Sequence, residues 1–343
     1  MSRFYSLEVE RIDHNTTNSV LIRFRIPKSF TETFHFSPGQ YVTLEKTIDE
    51  KSVRRSYSIC SSPKDPLEVG IKEVPNGVFS TYANTKIKAG DLLDVSVPEG
   101  RFVYQEKAAA EKITAFAAGS GITPIMSILK SVLASNPKNK FHLVYGNKTP
   151  EETMFYQELK ALEQEFAERL SITWVFSRSE ETGAIFGRID QDVVKNYLNN
   201  EAEKVSSYFL CGPEQMIDTT AELLKERGVD PSAILHELFF TEAPSNVAYG
   251  DKNEITIICD DVSHTLQNME GKTILEAALQ EKIEVPYSCQ GGVCSSCIAR
   301  VEEGTATMET NQILSDEEVE EGLILTCQAI VTSSSIRVNF DDV

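Results

Sequence analysis

Residues 289–297 read Cys-Gln-Gly-Gly-Val-Cys-Ser-Ser-Cys, and Cys327 follows after 29 further residues. Four thiols at C-x4-C-x2-C and one distant position suit a [2Fe-2S] cluster, whose irons take cysteine thiolates. Gly291 and Gly292 let the backbone bend round such a cluster and aim amide N–H groups at its sulfides. A four-Cys zinc site is the alternative. Zinc knuckles usually come as two C-x2-4-C pairs, whereas Cys327 stands alone. Cys289, Cys294, Cys297 and Cys327 are therefore the predicted metal ligands, and Cys60 and Cys259 are predicted to be buried, inert thiols.

Around this loop, residues 253–343 predict a small mixed domain. It has a hairpin over 255–269, a helix from Thr273, and closing strands over 324–331 and 335–340. This segment holds 17 Asp and Glu against 4 Lys and Arg, a local charge of −13 within a total of −19. Such a surface steers toward a basic partner. The overall charge argues against nucleic acid, which needs a concentrated basic face. Upstream, residues 241–252 lack periodicity and carry Pro, Gly and small polar residues, which predicts a linker.

Between 107 and 240 the pattern alternates buried strands (113–119, 141–147, 171–177, 207–212, 234–239) with helices starting near Thr123, Glu151, Asp190 and Pro213. This predicts a parallel sheet whose ligands sit at the carboxyl ends of its strands. Gly119, Ser120, Gly121, Thr123 and Pro124 follow the first strand and open a helix, a place for a pyrophosphate. Cys211, Gly212, Pro213 and Met216 follow the fourth strand. Ser177 and Arg178 end the third, where Arg and Ser suit a 2′-phosphate and predict NADPH. The nearby Glu180 and Glu181 keep NADH open.

Residues 1–106 show period-two runs separated by Gly and Pro, which predicts an antiparallel barrel. Arg55, Tyr57 and Ser58 form R-x-Y-S at a strand end. Arginine can pair with a pyrophosphate, tyrosine can stack on a ring, and serine can hydrogen-bond a ring nitrogen. Gly77, Val78, Phe79 and Ser80 stand at a helix start, where free N–H groups bind phosphate. No run of about 18 apolar residues and no signal-peptide pattern occurs, so a cytoplasmic chain with no membrane segment is expected.

The order R-x-Y-S, G-x-x-S, G-S-G-I-T-P and C-G-P-x-x-M resembles the ferredoxin-NADP reductase superfamily over residues 1–240. The last 90 or so residues resemble the plant-type ferredoxin domain fused to reductases of multicomponent oxygenases. Plant ferredoxins usually carry Arg and Ala after the first ligand, where this chain has Gln290 and Gly291. The resemblance implies that Arg55, Tyr57 and Ser58 cradle FAD, with Lys72 to Val74 lining it by backbone. It also implies that Cys211 lies beside the nicotinamide and the flavin, which with Ser58 makes the catalytic pair. Over nearly the whole chain, RRSYSICSSP, VPNGVFSTYAN and LVYGNKTPEETMF are most similar to reductase subunits of phenylacetyl-CoA epoxidases. That implies an oxygenase partner with a di-iron centre. The di-iron chemistry would not occur here, because the five histidines are scattered along the chain.

A hydride donor gives two electrons at once and a cluster accepts one, so a flavin between them converts one into the other. The rival readings are a reductase for another ring-hydroxylating or di-iron oxygenase, a redox module with little turnover, and a zinc-stabilised adaptor.

Overall fold

The computed structural model describes residues 4–239, 254–267 and 272–343. The predicted linker 241–252, the end of the first C-terminal hairpin and residues 1–3 lie outside the described residues. Residues 5–239 form one compact unit, and the C-terminal residues form another. Among the described residues no helix is long and apolar enough to cross a membrane.

The first sheet of the large unit contains β1 (Phe4–Thr16), β2 (Ser19–Arg25), β3 (Tyr41–Ile48), β4 (Lys51–Ser58), β5 (Glu68–Lys72) and β6 (Leu92–Ser96), in the order β4-β3-β6-β1-β2-β5. A bridge between Ile59 and Val69 joins the two edges, so the sheet closes on itself. Alternate apolar side chains such as Val20, Ile22, Phe24, Val69 and Ile71 fill its interior. Helix α1 (Val78–Thr85) follows β5. Strand β1 is not evident from the sequence pattern because a register shift between Val9 and Arg11 breaks its period-two alternation.

The second sheet holds β7 (Lys112–Ala118), β8 (Lys140–Asn147), β9 (Leu170–Phe176), β10 (Ile185–Phe186), β11 (Ser207–Cys211) and β12 (Ile234–Glu237) in the parallel order β10-β9-β8-β7-β11-β12. Its helices are α2 (Ile122–Ser135), α3 (Tyr156–Glu165), α4 (Gln191–Asn200) and α5 (Glu214–Glu226). The strand order reverses between β7 and β11, where such sheets open a ligand crevice. Helix α3 starts at Tyr156 and not near Glu151. Phe155 has φ 59° and its amide donates to Asn15 Oδ1 at 2.8 Å, so a contact with the first sheet holds residues 151–155 out of the helix.

The C-terminal unit contains β13 (Glu254–Cys259), β14 (Val262–Gln267), α6 (Ile274–Gln280), β15 (Ile298–Glu303), β16 (Ala306–Met308), α7 (Asp316–Glu320), β17 (Leu323–Leu325), β18 (Ala329–Val331) and β19 (Ser335–Asn339). Five strands form a mixed sheet, β14-β13-β19-β15-β17, and β16 pairs with β18. A capping box between Thr273 and Glu276 starts α6 where the sequence predicts. The single strand expected over 324–331 is instead β17 and β18. A turn at Thr326–Gln328, closed by Gln328 N–H donating to Leu325 O at 2.9 Å, separates them and carries Cys327.

Candidate functional site

The loops after β7 and β11 meet at the point of strand reversal. Gly119 takes φ +56°, and Gly119–Gly121 form a short 3-10 turn ahead of α2. The Thr123 hydroxyl donates to Ser120 O at 3.0 Å, and Pro124 fits the first helical turn. A Cβ on Gly121 would lie 2.2 Å from Cys211 O, and one on Gly212 would lie 2.7 Å from Met216 Cε and 3.1 Å from Ala118 Cβ. Two motifs that are weak apart thus interlock, each glycine making room for the other loop.

Cys211 is fully buried, and burial, then the nearby Glu237, push its thiol well above the ordinary value. Glu237 stands beside Cys211 in the parallel register of β11 and β12. Ser58, at the end of β4 and 3% exposed, donates through Oγ to Glu237 Oε2 at 3.4 Å. Ser58, Cys211 and Glu237 therefore converge from the two sheets. Sequence reasoning missed Glu237. Its signal is a lone acid inside the apolar strand 234–239, since buried acids are rare without a partner.

On the first sheet, the two adjacent arginines have different partners. Arg54 pairs with Glu45 at 2.9 Å, whereas the exposed Arg55 donates to Arg54 O at 2.6 Å and has no ion pair among the described residues. The Tyr57 ring lies 5.6 Å from that of Phe79, joining the R-x-Y-S strand to the start of α1. Burial, offset in part by Arg55, raises the Tyr57 pKa and keeps its hydroxyl neutral. Ser80 Oγ accepts from Val74 N at 3.1 Å, and a Cβ on Gly77 would lie 2.4 Å from that oxygen. Lys72 Nζ donates to Glu152 O at 3.3 Å, and burial lowers its pKa. Val74 and Val78 are exposed beside these groups.

Ser177 and Arg178 extend β9 at the same sheet edge, with their amides bonded to Asn147 O and Lys148 O. Glu181 accepts from Ser179 at 2.6 Å, and Arg178 makes no ion pair among the described residues. The acids that keep NADH open in the sequence thus leave the Arg178 guanidinium unengaged.

All seven cysteines are free thiols. In the C-terminal unit the thiols of Cys294 and Cys289, of Cys289 and Cys327, and of Cys327 and Cys297 lie near enough to shift one another's titration, so the four sulfurs form one connected set. The neighbouring Cys289 thiol, and then burial, hold the Cys294 thiol well above its ordinary value. Gly291 N–H donates to Cys289 Sγ at 3.3 Å, and Gln328 Nε2 approaches Cys327 Sγ at 3.7 Å. Gln290 and Gly292 take φ 57° and 72°, which turns the loop round the thiols. Four converging sulfurs with amide donors behind them fit a [2Fe-2S] cluster. Cys60 and Cys259 are buried apart from this set.

Residues 6–104 match the oxidoreductase FAD-binding domain family, 116–222 the oxidoreductase NAD-binding domain family, and 257–332 the 2Fe-2S iron-sulfur cluster binding domain family. The chain is 35% identical to a 1,2-phenylacetyl-CoA epoxidase subunit of Escherichia coli, over 99% of each protein. It is 32% identical to the ferredoxin reductase component of 3-ketosteroid-9-alpha-monooxygenase of Rhodococcus rhodochrous, over 99% of this chain and 97% of that one. Phthalate dioxygenase reductase superposes with a TM-score of 0.63 at 22% identity, over 98% of each chain, and so shares the fold.

Proposed function

We propose a partner and a route of electron flow from one premise: this chain belongs to the FAD- and [2Fe-2S]-dependent reductases of multicomponent oxygenases. The partner is the oxygenase of a phenylacetyl-CoA epoxidase system, a di-iron enzyme, and the donor is NADPH in preference to NADH. The domains are a flavin barrel over 1–106, a nucleotide domain over 107–240, a linker over 241–252 and a ferredoxin domain over 253–343, in a cytoplasmic protein. Bound FAD accepts two electrons as a hydride and releases them singly to the cluster.

The chain's own residues bind and orient. Amides of Gly119–Thr123 face the dinucleotide pyrophosphate, with Pro124 starting the helix behind them. Arg178 and Ser177 take the 2′-phosphate, which the lack of an ion pair on Arg178 among the described residues supports. Arg55 meets the FAD pyrophosphate, Tyr57 stacks on the flavin, Lys72 to Val74 line it, and Gly77–Ser80 offer amides to its phosphates. Ser58, held toward Glu237, fixes the hydrogen-bonding edge of the flavin, and Cys211, Gly212, Pro213 and Met216 wall the nicotinamide pocket. Cys289, Cys294, Cys297 and Cys327 hold the irons.

The observation that carries this reading is the convergence of Ser58 and Cys211 on Glu237, because it joins the flavin strand to the nicotinamide crevice. Reconstitution tests the partner. With purified phenylacetyl-CoA epoxidase oxygenase and NADPH, the chain should support turnover of phenylacetyl-CoA. Efficient turnover of a ring-hydroxylating oxygenase, with none of the epoxidase, would reassign the partner.

A further inference from the structure

Strand β5 faces two ways. Val69 and Ile71 are fully buried in the core of the flavin-side sheet, so Glu68, Gly70 and Lys72 point outward. On that outward face Lys72 reaches Glu152 O of the nucleotide half at 3.3 Å. Gly70 lies in the middle of it, where a Cβ would stand 2.8 Å from Thr123 Cγ2 and 3.1 Å from Met154 Cε. Its φ is outside the left-handed region, so the backbone does not require glycine. A strand interior disfavours glycine unless another backbone or ligand comes close. Space alone accounts for the residue.

Of the two groups that a Cβ would crowd, Met154 ends in a flexible thioether that can swing aside. Thr123 cannot. It is 1% exposed, stiff at χ1, and tied through Oγ1 to Ser120 O at 3.0 Å. The same loop is held from behind by Gly121, which has no room for a Cβ against Cys211 O. The segment Gly119–Thr123 is thus clamped between β5 and β11 without slack on either side.

We infer that Gly70 is a positioning residue: by lacking a side chain it lets the flavin-side strand seat directly on Thr123, and so sets how closely the dinucleotide loop approaches the flavin. This rests on reading 119–124 as the dinucleotide loop. Hydride transfer carries one hydrogen nucleus and two electrons from the dihydronicotinamide to the oxidised flavin, leaving the pyridinium cation. Its rate depends steeply on the alignment and separation of the two rings.

The test is a cycle of wild type, Gly70→Ala, Thr123→Ser and the double variant, all as FAD-loaded full chains. Thr123→Ser removes only the methyl that the new Cβ would meet and keeps the hydroxyl. In anaerobic stopped flow, Gly70→Ala should slow flavin reduction by about tenfold or more, with FAD content unchanged and NADP+ affinity much less affected. Thr123→Ser in that background should restore most of the rate. In the flavin-free chain, amide hydrogen exchange over 119–123 should rise in Gly70→Ala and return in the double variant. The double variant should fold and carry FAD even if Gly70→Ala does not. A wild-type rate in Gly70→Ala, a slow rate that serine fails to restore, unchanged exchange, or an unfolded double variant overturns the inference. Wild type that takes no electrons from either nucleotide defeats the underlying reading instead; normal wild type with an indifferent Gly70→Ala removes the spacer alone.

Discussion

Ser58 and Glu237 are 179 residues apart in the chain and within hydrogen-bonding distance in space. Ser58→Ala removes a donor from a buried position that the proposed route places beside the flavin. Losing one such bond is worth roughly 1–2 kcal/mol, so flavin reduction by NADPH should slow by about tenfold while FAD stays bound. An unchanged stopped-flow trace would refute the role given to Ser58. His142 carries a second prediction at this scale. Burial on β8 holds it at about 4 against an ordinary 6.5, with Glu201 pulling it up and Lys112 pushing it down. Its ring nitrogens bond Ser171 and Thr173, and Tyr197 packs against it. Because the folded pKa is the lower one, the unfolded chain binds the extra proton first. Stability should therefore fall as pH drops from about 6.5 toward 4. In His142→Gln, denaturant midpoints at pH 7 and pH 5 should differ less than in wild type.

At the scale of elements, the cysteine loop is separable from the flavin machinery. Cys294→Ser breaks the connected set of sulfurs in the C-terminal unit, whereas β4 and the loops after β7 and β11 belong to the large unit. The variant should lose the cluster absorbance and at least about tenfold of its cytochrome c reduction, yet keep NADPH-driven flavin bleaching. Loss of both would tie the two centres together structurally. The thiol loop is legible in the sequence because its four cysteines share a distinctive spacing, and the parallel sheet because buried strands and amphipathic helices alternate. Strand β1 is hidden by the shift after Val9. The start of α3 is hidden because Asn15, a residue of another sheet, holds Phe155. The break between β17 and β18 is hidden because an apolar run does not show where the turn carrying Cys327 must interrupt it. Gly70 and Glu237 are illegible for a related reason: each is singled out by a neighbour far along the chain, Thr123 for Gly70 and Ser58 for Glu237, and neither makes a local motif.

Across the whole molecule, charge is the property that sequence shows and folding does not alter. The net −19 is concentrated in the last quarter of the chain, the part that matches the 2Fe-2S iron-sulfur cluster binding domain family. Encounter with a basic face of the oxygenase should be steered at low salt and screened at high salt. Raising ionic strength from about 0.05 M to about 0.5 M shortens the screening length to a few ångströms, so electron delivery to the oxygenase should slow severalfold. Internal reduction of the cluster by NADPH should change much less. Equal salt effects on both would remove the acidic surface from the docking step.

Anaerobic titration with NADPH, followed by visible absorbance and electron paramagnetic resonance on the same sample, probes the whole electron route at once. FAD takes two electrons and the cluster one, so about one and a half equivalents should complete the reduction. The flavin bands should bleach and the rhombic signal of a reduced [2Fe-2S] cluster should appear. A colourless chain holding zinc and no acid-labile sulfide, or a flavin that bleaches while no iron signal ever develops, would overturn the proposed route.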